Sequence, residues 1–443
     1  MAPSKDKTPI ELDGRTLEGG GQLLRNALCL SSLTSTPIKI TNIRGNRSGG
    51  GGLKPQHLAC VNWLAHATNA TVEGAEKGSK TLLFRPKALG EEELSPAFEE
   101  KTLENGKKVY VCKLEIGTAG STGLALQAVL PFILFTKFPE QRTVVLEVSG
   151  GTNVDGAPSY DYITHVLLPT LSRIGLPRIT ATLQKRGWST GNGPGIGSFT
   201  LSIPPLTTLP LPTFTYTPSP STTTSRPEPP SSITAIFLAP STTHTHISSI
   251  LPTTLAHHFP PTIPLHIQTE SSLSEKRIYL LLLAHFPGDT HTLASDHLYV
   301  RKIRSLERAT TEMVELCAKK LAEEVGSGAW VDGWLRDQVV VFQALARGRC
   351  VVFPGWEGDE DGDGDEEDED GDEDSEGGGE VESRELREPT LHARTAEWVA
   401  KMMLGVKFDA QGVCEGVAFG RDREGANGVE EVVKGLEEVQ LGD

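Results

Sequence analysis

The chain is poor in cysteine, methionine and aromatic side chains, and it contains no long hydrophobic run. Its six cysteines, Cys29, Cys60, Cys112, Cys317, Cys350 and Cys414, are widely spread and form no C-x-x-C pair. That spacing excludes a disulfide scaffold and gives little support to a cysteine-held metal cluster. Because most sit among apolar neighbours, they are expected as buried free thiols of a reducing compartment. The longest strongly apolar run, 278–284, is far too short to span a bilayer, so no membrane partner is expected. The first eleven residues are polar and lack an apolar segment, so secretion is not expected either. No dense basic cluster marks an import signal, which leaves a nuclear and a cytosolic location equally open.

Basic residues are scarce in one place above all. Residues 357–383 hold seventeen Asp or Glu and no Lys or Arg. They account for the net charge of −16, because the other 41 acidic residues face 42 basic ones and leave a net +1. A near-neutral body fits an enzyme that touches nucleic acid at a site and does not coat it. The acidic run has almost no apolar side chain to bury and reads as a disordered loop. At 443 residues the chain is long enough to bury a large core.

What is present begins with Glu18-Gly19-Gly20-Gly21-Gln22-Leu23-Leu24-Arg25. Consecutive glycines let the backbone turn sharply and approach a ligand. The apolar spacing of Leu23, Leu24, Ala27, Leu28 and Leu30 predicts a helix with one apolar side, starting directly after them. A helix N-terminus behind a glycine turn favours anions. Arg25 falls within its first turn or so, and Arg44 and Arg47 follow a short alternating strand. Three arginines around one glycine turn suit phosphate.

Four segments in register, E-G-G-G-Q-x-x-R from Glu18, I-R-x-x-R-S from Ile43, L-K-P-Q-H-L from Leu53 and E-G-A-E-x-G-S from Glu73, resemble the RNA 3'-terminal phosphate cyclase family. The likeness extends over about 10–203 and 277–408. It implies an α+β fold of α/β repeats: three units, each a four-stranded sheet backed by two helices, with a small inserted α/β domain. On that reading residues 1–9 are a flexible N-terminus. Residues 10–206 and 276–443 form the large domain, 207–275 form the insert with a Pro/Thr/Ser-rich start, and 357–383 are the acidic loop. Strands are expected at 37–43, 81–84, 109–114, 143–148, 198–203, 233–238 and 262–268. Helices are expected at 56–68, 121–136, 161–174, 247–258, 307–324 and 331–346.

The resemblance also implies chemistry. His392, in L-H-A-R-T-A, matches a segment whose histidine attacks the α-phosphorus of ATP, work that suits a neutral imidazole. Trp334, Asp337 and Gln338 match a nucleotide-contacting segment and share a helical face by their spacing. An aromatic ring at 334 can stack on adenine; Trp stands where the family usually has Tyr. Gln127 and Pro158 fall where the family contacts ATP. Glu18 could hold a divalent metal (Mg or Mn), orient His392, or simply compensate a helix dipole. Gln56 and His57 fall at a helix start and could contact phosphate; for His57 a cap-region role is equally open. The implied reaction is ATP-dependent conversion of an RNA 3'-phosphate end to a 2',3'-cyclic phosphate. The alternative is a non-catalytic ribosome-assembly protein on the same fold. Two segments depart from the family pattern: 186–195, which lacks the family's lysine, and 294–302.

Overall fold

A computed structural model describes residues 8–47, 49–90, 93–190, 195–217, 227–358 and 384–420. Most of the acidic run and of residues 1–9, with part of the Pro/Thr/Ser-rich stretch and of 186–195, lie outside the described residues.

The first sheet contains β1 (Ile10–Asp13) and β2 (Ile38–Thr41), which run parallel because helix α1 (Gln22–Thr34) carries the chain across. Helix α2 (Pro55–Ala67) follows, then β3 (Thr71–Glu73) and β4 (Leu82–Arg85). The sheet order is β1-β2-β4-β3. The second sheet opens with the edge strand β5 (Glu99–Thr102) and then repeats this logic. There β6 (Lys108–Glu115) and β7 (Val144–Gly150) are parallel across helix α3 (Thr122–Phe135). Two short helical turns, α4 (Tyr160–Tyr162) and α5 (Leu168–Arg173), lead to β8 (Thr180–Lys185) and β9 (Gly197–Ile203). The order β5-β6-β7-β9-β8 contains the first sheet's order once β5 is set aside. Here the expected β/α repetition is visible as topology.

After β10 (Thr215–Tyr216) the chain enters a third sheet. It is made of β11 (Ser232–Ala239), β12 (Leu265–Ser271), β13 (Tyr279–His285) and β14 (Thr292–Leu298), with α6 (His244–Ala256) crossing between β11 and β12. Helix α7 (Leu306–Gly326) packs on β13, β14 and α6. Phe237, Leu251, Leu280, Leu282, Met313 and Leu321 share a core separate from the main one. The last part, α8 (Gly333–Leu345), β15 (Arg347–Val352), α9 (Leu391–Leu404) and β16 (Val413–Val417), builds a sheet of order β10-β15-β16. The result is a mixed, α+β fold.

Three details differ from the sequence expectation. An insert ending at 275 would cut the third sheet, because β11 pairs antiparallel with β13 along residues 232–238 and 279–285. The helix expected over 161–174 is interrupted by a π turn at Ile163–Leu167, where the Leu168 N–H reaches the Ile163 carbonyl. Pro169, which has no N–H to donate, follows directly. Helix α1 is buried over every residue from Gln22 to Ser32, not on one side alone. It lies against α3 and α9, and its polar side, with Gln22, Arg25 and Asn26, turns inward. Helices α1, α2, α3, α8 and α9 touch one another in a chain of contacts, and each supplies residues to one cavity.

Candidate active site

The turn before α1 shows why glycine stands there. Gly19 has φ +60°, and a Cβ on Gly21 would lie 2.6 Å from both Arg25 Nη1 and His57 Nε2. The bare backbone at 21 therefore lets an arginine from α1 and a histidine from α2 approach the helix start. Gly21→Ala is expected to displace one or both side chains and lower any phosphate-dependent activity about tenfold or more, with a melting temperature close to that of the parent. An unchanged rate would show that this close approach is not needed.

The His57 ring accepts the Lys54 backbone N–H at Nδ1 (3.1 Å), so its proton is assigned to Nε2, the nitrogen facing Gly21. Burial first, then the charges of Arg25, Arg44 and Lys54, push its pKa down to about 3. His57 is thus a neutral N–H donor across the working pH range.

Glu18 joins the glycine turn to α9. Its backbone N–H donates to Thr395 Oγ1 (3.1 Å), one turn along the helix from His392. Its carboxylate accepts from the Gly20 N–H (2.7 Å) and pairs with Arg47. The turn therefore already holds one anionic group of its own. His392, half-buried near the start of α9, has its pKa lowered by burial first and by the charges of Arg25 and Arg47 after it. Helix α9 is fixed against α8 by Arg336, which bonds Glu397 (2.7 Å) and Gln343 (2.9 Å).

Arg25 is buried, with Nε donating to Gln127 Oε1 (2.7 Å) and Nη2 to Gln22 Oε1 (2.7 Å). Both partners are neutral, so the guanidinium charge is not consumed by a bonded carboxylate. Asp337 on α8 lies close enough to feel it. Burial pushes the Asp337 carboxyl up to about 7, and Arg25 pulls it back. The Gln127 amide, its Oε1 taken by Arg25, also helps to hold the Asp337 carboxyl down. Gln56 is more committed, since its Oε1 accepts the Ser121 N–H at 3.0 Å.

Helix α8 starts at Asp332, whose Oδ1 accepts from the Trp334 and Leu335 N–H groups at 3.0 Å each. Trp334, Asp337 and Gln338 then face the same way, as their spacing required, and Gln338 Nε2 holds the Trp334 carbonyl (2.9 Å). The cavity they share has a volume of about 540 Å³. All twelve residues singled out from the sequence line it. Glu18, Arg25, Arg44, Arg47, Gln56 and His57 come from the first sheet and its helices. Gln127, Pro158, Trp334, Asp337, Gln338 and His392 come from the second sheet and the C-terminal part.

The family model for RNA 3'-terminal phosphate cyclase matches residues 16–410. The chain belongs to the RNA 3'-terminal phosphate cyclase family. A curated relative named RNA 3'-terminal phosphate cyclase, from Desulfurococcus amylolyticus, is 39% identical over 184 residues. That match covers 42% of this chain and 45% of the relative, less than half the length of either.

Within this cyclase-family chain, sequence reasoning passed over Lys54 and Thr118, which also line the cavity. Lys54 was within sight, since it stands in the L-K-P-Q-H-L segment. Thr118 has no local signal, because it belongs to the loop before α3 and arrives through the parallel pairing of β6 and β7. No cluster of three metal-ligating side chains occurs among the described residues. Glu18 and Asp337 supply the cavity's carboxylates. No helix among the described residues is long and apolar enough to cross a membrane. All six cysteines are buried and free.

Proposed function

We propose that the chain is an ATP-dependent enzyme that converts an RNA 3'-terminal phosphate to a 2',3'-cyclic phosphodiester, in the nucleus or cytosol. The observation that carries this reading is the convergence of a depressed-pKa histidine, His392, with Arg25, Arg44, Arg47 and neutral His57 on one cavity. A nitrogen nucleophile beside several phosphate donors suits nucleotidyl transfer.

In the proposed sequence the His392 imidazole attacks the α-phosphorus of ATP. A P–N bond forms, pyrophosphate leaves, and the ring loses its N–H proton. An oxygen of the RNA 3'-phosphate then attacks the adenylyl phosphorus, breaking P–N as the His392 ring takes a proton back. The neighbouring 2'-hydroxyl then attacks the RNA 3'-phosphorus, closing the cyclic diester and releasing AMP and a proton. Trp334 offers a ring face to the base, with Asp337, Gln338 and Gln127 at its polar edges and Pro158 beside it. Arg25, Arg44, Arg47, Gln56 and His57 hold phosphate oxygens. A divalent cation, Mg or Mn, travelling with the ATP phosphates would neutralise their charge. Glu18, at the glycine turn, is the carboxylate that would suit it, since hard dications take oxygen ligands and keep several waters.

The test is incubation with α-labelled ATP followed by denaturing electrophoresis, together with an RNA carrying a labelled 3'-phosphate. Protein-bound label and conversion of the RNA end to a phosphatase-resistant form are expected. RNA binding without either would favour a non-catalytic role in ribosome assembly.

The pH dependence gives a second expected result. Because burial and two arginines lower the His392 pKa, the imidazole stays neutral below the ordinary histidine value of about 6.5. The acid limb of self-adenylation should therefore lie below that pH. Arg47→Ala removes one positive charge and should move the limb upward, toward 6.5. A limb unmoved in the variant would separate that titration from His392.

A further inference from the structure

The segment 294–302 departs from the family pattern, and nothing in the proposed reaction uses it. Yet it contains the residue that holds Trp334. The indole N–H of Trp334 donates to Asp296 Oδ1 (3.1 Å). Asp296 lies on β14, in the third sheet, and does not line the cavity. Its second oxygen accepts from the Tyr279 hydroxyl (2.9 Å), and that hydroxyl is itself 2.7 Å from Ser159 Oγ. The carboxylate is thus held at one oxygen by Tyr279, itself held by Ser159, and meets the indole with the other. Two residues away, the Ala294 N–H donates to Asp332 Oδ2 (3.1 Å), the cap of α8. The start of α8 is therefore anchored to β14 at two points.

We infer that Asp296 is a positioning residue, which sets the plane of the Trp334 ring at the cavity wall and so the affinity for the nucleotide base. A partly buried indole N–H needs an acceptor. Trp at 334, where the resemblance leads one to expect Tyr, brings that donor. Asp296 meets it from a segment that also departs from the family, so the two departures join at one hydrogen bond. With its N–H committed to Asp296, Trp334 presents only its face to a ligand. Stacking then supplies affinity, while discrimination among bases falls to Asp337 and Gln338. Burial raises the Asp296 pKa to about 6, with the Tyr279 and Trp334 hydrogen bonds lowering it, so the group is an ionised acceptor at neutral pH. A third sheet that contributes no cavity residue between β11 and β14 thereby acts on the site through one side chain.

This inference rests on the reading of the cavity as a nucleotide site, so its test measures ATP binding separately from chemistry. ATP dissociation constants are taken by calorimetry on the full chain for Asp296→Ala, Asp296→Asn, Trp334→Phe and the Asp296→Ala/Trp334→Phe double variant. Asp296→Ala should weaken ATP binding by about tenfold. Its effect on self-adenylation should appear in the KM for ATP, with the rate at saturating ATP within about twofold of the parent. Asp296→Asn, whose amide oxygen still accepts from the indole, should recover most of the affinity. In the Trp334→Phe background, which keeps a ring but has no N–H, Asp296→Ala should add almost nothing. Equal affinity of the parent and Asp296→Ala would overturn the inference, as would an undiminished Asp296→Ala effect in the Phe background. Should Asp296→Ala fail to fold, Asp296→Leu, which fills the volume but offers no acceptor, read in both the parent and the Trp334→Phe background, gives the same decision. A parent that binds ATP without becoming labelled would refute the proposed chemistry and leave these affinities to decide on Asp296. A parent that does not bind ATP would overturn both.

Discussion

His392→Ala is expected to bring transfer of label from α-labelled ATP to the protein down to background, and RNA cyclisation with it. The substitution is mild for the fold. His392 lies at the start of α9, where alanine is a good helix former. The cap of that helix, Thr390 accepting the Ala393 N–H at 3.2 Å, does not involve the ring. Nor does the bond from the Glu18 N–H to Thr395 that draws the glycine turn onto the helix. A lost signal with an unchanged melting temperature would therefore report lost chemistry. The bond itself is diagnostic, because a phosphoramidate survives alkali and breaks in acid, whereas a carboxylate or hydroxyl adduct behaves otherwise. Label persisting in the alanine variant, or label from the parent that is stable to acid, would remove His392 from the nucleophile role.

How far the sequence disclosed this site depends on whether a residue's surroundings are local. The glycine turn, the first turn of α1 and the shared face of 334, 337 and 338 follow from neighbours a few residues apart, and they could be read directly. Their convergence on one cavity was legible only through the family resemblance, since Glu18 and His392, both lining it, come from opposite ends of the chain. The partners were not legible at all. Nothing near Glu18 says that Arg47 pairs with its carboxylate, and nothing near Gln56 says that the Ser121 N–H takes its oxygen. The amphipathic spacing of α1 predicted an exposed polar side. Instead that side is buried against α3 and α9, because it carries the site's own Gln22 and Arg25. The insert boundary failed for a related reason. The pairing of β11 with β13 is antiparallel and non-consecutive, so composition could not mark where its sheet closes.

Arg25 is the other residue whose loss should be severe. It is a buried cation whose two hydrogen-bond partners, Gln127 and Gln22, are neutral amides. Burial lowers its pKa, with Asp337 acting in the opposite sense. An ion held this way is costly to bury unless a ligand of opposite charge completes it. Phosphate at the N-terminus of α1 would do so. Arg25→Met fills a similar volume without charge and should lower the rate of self-adenylation at limiting ATP by roughly ten- to a hundredfold. That is the range expected when a charge-assisted contact of about 1.5–3 kcal/mol is lost. The same change removes the charge that holds the Asp337 carboxyl down, so its pKa should rise above about 7. It also removes one of the charges that depress His57 and His392. The acid limb of the rate should then move to higher pH as the overall rate falls. Arg25→Lys restores the charge but cannot bridge Gln127 and Gln22 through a planar fork, so it should recover the rate only in part. If the methionine variant keeps the parent's ATP dependence and pH profile, Arg25 is a structural cation of the helix layer, and the phosphate site must be built from Arg44, Arg47 and His57 alone.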